Sequence, residues 1–191
     1  MPFGLPSAGP VCLNRASVVS TLKGRNSEFT LTTMPDKKHP LIRRLGVDDV
    51  DRIYQIEKLA YPFPWSRGLF LDCLRAGYAF FGLQIGKDLA GYTIFNWAAG
   101  EAHLLNLCVH PDWQYRGYGS LLLEYAINHV ARHANEAMFL EVRASNTRAA
   151  KLYKNRGFKV IGSRISYYQA GDGREDAIVM RLVFRPNKPV N

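Results

Sequence analysis

Apolar and polar positions change period several times along the chain, and each change marks an element. Leu41–Leu45 reads as a short strand. Across residues 47–61, Val50, Ile53, Tyr54, Ile56 and Leu59 recur near the 3.6-residue period of a helix. Proline in Phe63-Pro64-Trp65-Ser66 stops that helix, and residues 66–77 start a second, shorter one. Residues 78–86 and 89–98 are strand-like and meet in a turn around Gly86–Asp88. A fourth strand is predicted over 102–110 and a fifth over 137–143. Helices are predicted over about Gly119–His133 and Thr147–Arg156. Residues 158–162 and 177–184 close the chain as strands. Strands come first and then alternate with helices. The expected fold class is therefore α/β (α+β), a mixed sheet flanked by helices.

Residues 1–38 show no sustained period and carry Pro2, Pro6, Pro10 and Pro35. They are expected to be a disordered extension ahead of a single domain over 39–186, with 187–191 as a short tail. Arg15, Lys23 and Arg25 against the lone Glu28 give this segment a faint transit-peptide flavour. No amphipathic helix accompanies it, so a dispensable extension, or a true start at Met34, is the plainer expectation.

Charge and cysteine content narrow the classes. The net charge is +9, and the 22 basic and 15 acidic residues after Thr33 keep the core basic. Nucleic acid, a ribosomal surface, an anionic membrane and an anionic cofactor are all compatible with that balance. No basic arm or RNA-binding aromatic signature appears, so direct nucleic-acid binding is not expected. No apolar run approaches the ~20 residues that span a bilayer, so no membrane partner is expected. Cys12, Cys73 and Cys108 are scattered, form no metal-ligand spacing and fit reduced thiols in a cytoplasmic protein. No metal is expected.

Three stretches carry candidate chemistry. In the first, the strand ending at Val109 runs through His110-Pro111-Asp112 into Gln114-x-x-Gly117-x-Gly119 at the start of a helix. Glycines admit a ligand close to the backbone. The free N–H groups of a helix start favour an anion such as a diphosphate. A connecting turn would use the same residues, and the stretch is neither a dinucleotide fingerprint nor a Walker loop. In the second, Glu141 interrupts an apolar strand. Strand alternation puts Met138, Leu140 and Val142 on one face and Phe139, Glu141 and Arg143 on the other. A carboxylate there is either functional or paired with a cation such as Arg143. In the third, Asn146 is placed to cap the next helix, and Tyr153, two turns later, shares its face. Tyr153 could equally be a core aromatic.

Together these stretches resemble the GNAT acyltransferase superfamily, through Gln114-x-x-Gly117-x-Gly119 and through Leu140–Asn146 followed by Leu152-Tyr153 and Gly157-Phe158. With Phe63–Ser66 and Asp172–Ala177 added, the chain from about Pro40 to Phe184 resembles the RimI-type ribosomal-protein alanine N-acetyltransferases. The resemblance implies a mixed, mostly antiparallel sheet of six to seven strands and acetyl-CoA as co-substrate. It implies that Leu107, Cys108 and Val109 lie along the pantetheine and thioester. It places Tyr115, Arg116, Gly117, Tyr118, Gly119 and Ser120 around the pyrophosphate and Asn146 on the pantetheine arm. The acceptor it implies is a protein N-terminus, alanine first, of a small-subunit ribosomal protein. A lysine side chain or small amine is the alternative acceptor, and a non-catalytic acetyl-CoA-binding module is the alternative class.

Acetyl transfer to an amine needs a neutral nucleophile, a polarised carbonyl and a protonated or stabilised leaving thiolate. On the resemblance, Glu141 is the general base and Tyr153 the general acid, in a direct attack. Glu101 and His103 are rival bases. Cys108 lacks a histidine partner at a recognisable spacing and reads as a packed apolar residue. Residues 61–66, Tyr167, Tyr168 and the turn Gly171–Asp176 are expected to wall the acceptor groove. The acids Asp172, Glu175 and Asp176 are expected to receive a basic peptide.

Overall fold

Seven of the apolar segments pair into one sheet. The computed structural model describes residues 39–133, 136–171 and 173–184. The strands are β1 (Leu41–Arg44), β2 (Ala79–Ile85), β3 (Asp88–Ala98), β4 (Glu101–Val109), β5 (Ala137–Arg143), β6 (Lys159–Ala170) and β7 (Gly173–Val183). Their order is β1-β2-β3-β4-β5-β7-β6, and among the described residues only β4 and β5 pair in parallel. The expected mixed, mostly antiparallel sheet is present. The expected extension 1–38, the tail 187–191 and Asp172 lie outside the described residues.

The helices are α1 (Val50–Ala60), α2 (Arg67–Arg75), α3 (Tyr118–Val130) and α4 (Thr147–Asn155). Ser66 caps α2 by accepting from the Leu69 N–H, which explains why the helix resumes just after the Pro64 break. Period-2 alternation in the strands sorts the core into two apolar clusters on opposite faces. Leu104, Leu107, Val109, Met138, Leu140 and Val142 meet α3 and α4. Phe80, Tyr92, Ile94, Leu105 and Cys108 meet α1 and α2. Cys73 and Cys108 are buried thiols outside any disulfide among the described residues, and burial pushes the Cys73 thiol up to about 11.

Two readings change. Leu59 is exposed, and α1 buries Val50, Ile53, Ile56, Glu57 and Ala60 instead. The last two strands are longer than their apolar cores, so Tyr167, Tyr168, Glu175 and Asp176 belong to strands rather than to the connection between them. Edge strand β6 is exposed over most of its length and therefore carries no alternation to read.

Candidate active site

The sheet splits at one point, and Glu141 stands there. Parallel β4–β5 pairing runs from Glu101–Ala137 to Leu104–Leu140 and goes no further. Beyond it, Glu141, Val142 and Arg143 pair only with β7, opposite Val179, Ile178 and Ala177. A bulge causes the divergence. Ile94 of β3 faces Asn106 and Phe95 faces Leu104, so Leu105 is the extra residue that bends β4. Leu107 and Val109 stay in register with Thr93 and Gly91 of β3, and their carbonyls bond side chains. The Leu107 carbonyl accepts from the Tyr61 hydroxyl at 3.3 Å, and the Val109 carbonyl accepts from Gln114 Nε2 at 2.9 Å.

Glu141 is half-buried on the α1/α2 face, with its carboxylate held by Arg164 of β6 at 2.6 Å. The expected cation partner, Arg143, is instead committed elsewhere. It donates to Gln169 O at 2.8 Å and Glu175 Oε2 at 3.2 Å, and lies 4.5 Å over the Tyr168 ring and 5.7 Å over Phe63. Tyr168 donates its hydroxyl to the Glu141 carbonyl at 3.2 Å. Burial raises the Tyr168 phenol far above its ordinary range, and Glu141, Tyr167 and Tyr153 each add to that rise. His103 shares the face, stacked 5.5 Å from Phe139. Burial lowers its basicity against the opposing pull of Glu101 and Glu141.

Two of the expected groove acids, Glu175 and Asp176, bond neighbouring residues. Glu175 accepts from the Ser145 N–H at 2.6 Å as well as from Arg143. Burial alone would raise its carboxyl, but the bonds from Ser145 and Arg143 hold it below its ordinary value. Asp176 accepts from the Ser166 N–H at 2.8 Å, fixing a bulge in β6 at a residue with φ of 51°. Both acids are therefore tied to neighbours before any basic peptide arrives.

On the α3/α4 face the split opens into a cavity of about 210 Å³. Val109, Gln114, Tyr115 and Gly117–Ser120 line one side, and Arg148, Lys151, Leu152 and Asn155 of α4 line the other. Gly117 is the N-cap of α3 with φ of 83°, a conformation that favours glycine. Tyr115 has φ of 64°, and its ring lies 3.7 Å from the Arg148 guanidinium. Arg148 Nη1 is buried without a hydrogen-bond partner among the described residues. A buried cationic nitrogen beside the free N–H groups of a helix start fits a phosphate anion. The side chains of Cys108 and Arg116 do not join this cavity. Cys108 packs on the other face against Tyr92, and Arg116 lies 4.9 Å over Trp113.

Asn146 caps α4 as expected, accepting from the Ala149 N–H at 3.1 Å. Gly157, at φ of 90°, ends the helix. Phe158 then turns back so that its ring meets Tyr153 edge-on at 5.7 Å. Tyr153 is buried, and burial pushes its phenol far above its ordinary value.

The acetyltransferase (GNAT) family model matches residues 50–158. The chain is 39% identical over 141 residues to the [ribosomal protein bS18]-alanine N-acetyltransferase of Escherichia coli K12, covering 74% of this chain and 95% of that one. A crystal structure of the ribosomal-protein-S18-alanine N-acetyltransferase from Escherichia coli superposes with a TM-score of 0.75 at 36% identity, over 80% of this chain and 99% of that one. The chain belongs to the GNAT acetyltransferase family. The structure of yncA from Salmonella typhimurium, solved with acetyl-CoA, shares the fold at 20% identity, with a TM-score of 0.66 over 80% of this chain and 98% of that one.

This GNAT domain also holds a buried polar cluster that the sequence reading missed. Glu57 is fully buried in the α1/α2 cluster. It accepts from the Trp65 N–H at 3.0 Å, from the Tyr92 hydroxyl, and from Asn106 Nδ2 at 3.4 Å to each oxygen. Burial raises its carboxyl to about 7 despite these three donors. Its spacing from Val50, Ile53 and Ala60 puts it on the apolar face of α1, and that was the available signal.

Proposed function

We propose that this acetyltransferase moves the acetyl group of acetyl-CoA to the α-amino group of a protein N-terminus, alanine first, on a small-subunit ribosomal protein in the cytoplasm. The observation that carries this reading is the position of Glu141, the first β5 residue past the split, on the face opposite the phosphate-fitting cavity. The identity to the bS18-alanine enzyme of Escherichia coli supports the acceptor assignment.

Bound acetyl-CoA would supply an activated acetyl thioester. Arg148, Lys151 and the backbone of residues 115–120 would hold its phosphates, with Arg116 contributing main chain. The main chain of Leu107 and Val109 would lie along the pantetheine, with Asn146 beside it. Their N–H groups would polarise the thioester carbonyl. On the acceptor side, the half-buried Glu141 carboxylate takes the proton that leaves the amine. Tyr153, buried on α4, would give its proton to the departing sulfur. With its phenol pushed up by burial, Tyr153 stays protonated at neutral pH and can serve as the acid.

A peptide panel tests the reading. Peptides starting with Ala, Ser or Gly, and one with a blocked N-terminus and an internal Lys, are incubated with enzyme and acetyl-CoA, and the site of acetylation is mapped by fragmentation mass spectrometry. Acetylation of the α-amine of the alanine peptide is expected. Preferential lysine acetylation would reassign the acceptor, and no transfer to any amine would leave a binding module.

A further inference from the structure

We propose that Glu57 is a positioning residue that pegs the acceptor loop, residues 61–66, to β4 at the split, so that acceptor and thioester meet at a fixed separation. The inference rests on the acceptor groove lying between that loop and β5. The loop's middle residue, Phe63, faces the Arg143 guanidinium, two residues from Glu141. Its two ends are fixed by α1 and β4. Tyr61 donates its N–H to the Glu57 carbonyl at 3.0 Å and its hydroxyl to Leu107 O. At the far end, the Trp65 N–H donates to the Glu57 carboxylate.

The same carboxylate reaches Asn106, the residue that follows the bulged Leu105, and Tyr92 on β3. One buried side chain therefore ties the loop to β4 through Asn106, while the Tyr92 hydroxyl meets its other oxygen. A carboxylate in an apolar cluster is a costly way to hold a loop, since burial penalises its charge. An apolar residue of similar volume would fill the site without that cost. It would offer no acceptor to the Trp65 N–H, so what Glu57 contributes is register of the loop. The phosphate-fitting cavity on the other face is lined by other residues, so most of the hold on acetyl-CoA is expected to survive loss of the peg.

Glu57→Met and Glu57→Gln separate this role from bulk stability. Met fills the volume without an acceptor, whereas Gln keeps an oxygen for the Trp65 N–H. In Glu57→Met, kcat/KM for the acceptor peptide is expected to fall about tenfold or more, with the acetyl-CoA Kd within about twofold of wild type. The Trp65 amide is expected to exchange with solvent faster while the β3 and β4 amides stay protected. Glu57→Gln is expected to restore both. Tyr92→Phe removes a hydroxyl without touching the loop and is expected to keep the acceptor KM within about twofold.

Unchanged acceptor kinetics in the Met variant, an equal loss of acetyl-CoA affinity, or a Gln variant as impaired as Met would overturn the proposal. So would a raised acceptor KM in Tyr92→Phe, or Trp65 exchange unchanged in Met. If Met does not fold, the Gln and Tyr92→Phe results decide. The exchange measurement needs no acceptor, so it stands even if the alanine N-terminus proves to be the wrong substrate.

Discussion

Arg164 Nε lies 2.6 Å from Glu141 Oε1, joining an exposed arginine on the edge strand β6 to the carboxylate at the split. The pair orients one oxygen of the proposed base. Glu141→Gln keeps the shape and removes the proton acceptor. It is expected to lower kcat roughly a hundred- to ten-thousandfold in a thiol-release assay. Thermal unfolding should move little, because an ion pair with a solvent-exposed arginine is worth about 1 kcal/mol or less.

Tyr153→Phe keeps the edge-on contact with Phe158 and removes only the hydroxyl. Its kcat is expected to fall by about a hundredfold with the acetyl-CoA Kd unchanged. Because burial raises the phenol, its ionisation should place no downward limb on the wild-type kcat profile below about pH 10. A limb that lies lower and disappears in the Phe variant would remove Tyr153 as the acid.

Glu57 gives the protein a pH-dependent stability of defined sign. Its carboxyl is raised to about 7 in the fold, so the folded state binds a proton that the unfolded chain releases near pH 4. This contribution is fully present below the unfolded value and is lost as pH rises through about 7. Relative to Glu57→Gln, the wild type is expected to lose about 3 kcal/mol between pH 4 and 8, as urea unfolding would show. A constant difference between the two proteins across that range would contradict the assignment.

Gly117 occupies a φ of 83° at the start of α3, where an added Cβ has space but an unfavourable dihedral. Gly117→Ala is expected to cost about 1–2 kcal/mol of stability. It is also expected to weaken acetyl-CoA binding measured by calorimetry, since the loop's N–H groups would be re-aimed.

Much of this arrangement is legible in the residues. Period changes and apolar runs located at least part of each of the seven strands and four helices of the described residues, because most elements bury one face. The glycine-containing loop before α3, Glu141 within an apolar strand and Asn146 as a cap stand out for the same reason. The β6–β7 hairpin is less legible, since exposed Val160, Ile161 and Ile165 leave no period to follow. The groove acids were misread because an Asp or Glu near a turn looks alike whether it awaits a ligand or, like Glu175 and Asp176, already binds neighbouring backbone. The bulge at Leu105 leaves only a faint mark, the adjacent Leu104 and Leu105 breaking the alternation of β4. The partner of Glu141 could not be read at all, because Arg164 arrives from a strand 23 residues later across β7.

The central claim is tested most directly in cells from which the gene has been deleted. Mass spectrometry of the small-subunit ribosomal proteins should show one N-terminal alanine losing its acetyl group. The wild-type gene should restore it, and a Glu141→Gln/Tyr153→Phe double variant should not. Unchanged N-terminal acetylation in the deletion strain, or full restoration by the double variant, would contradict the account.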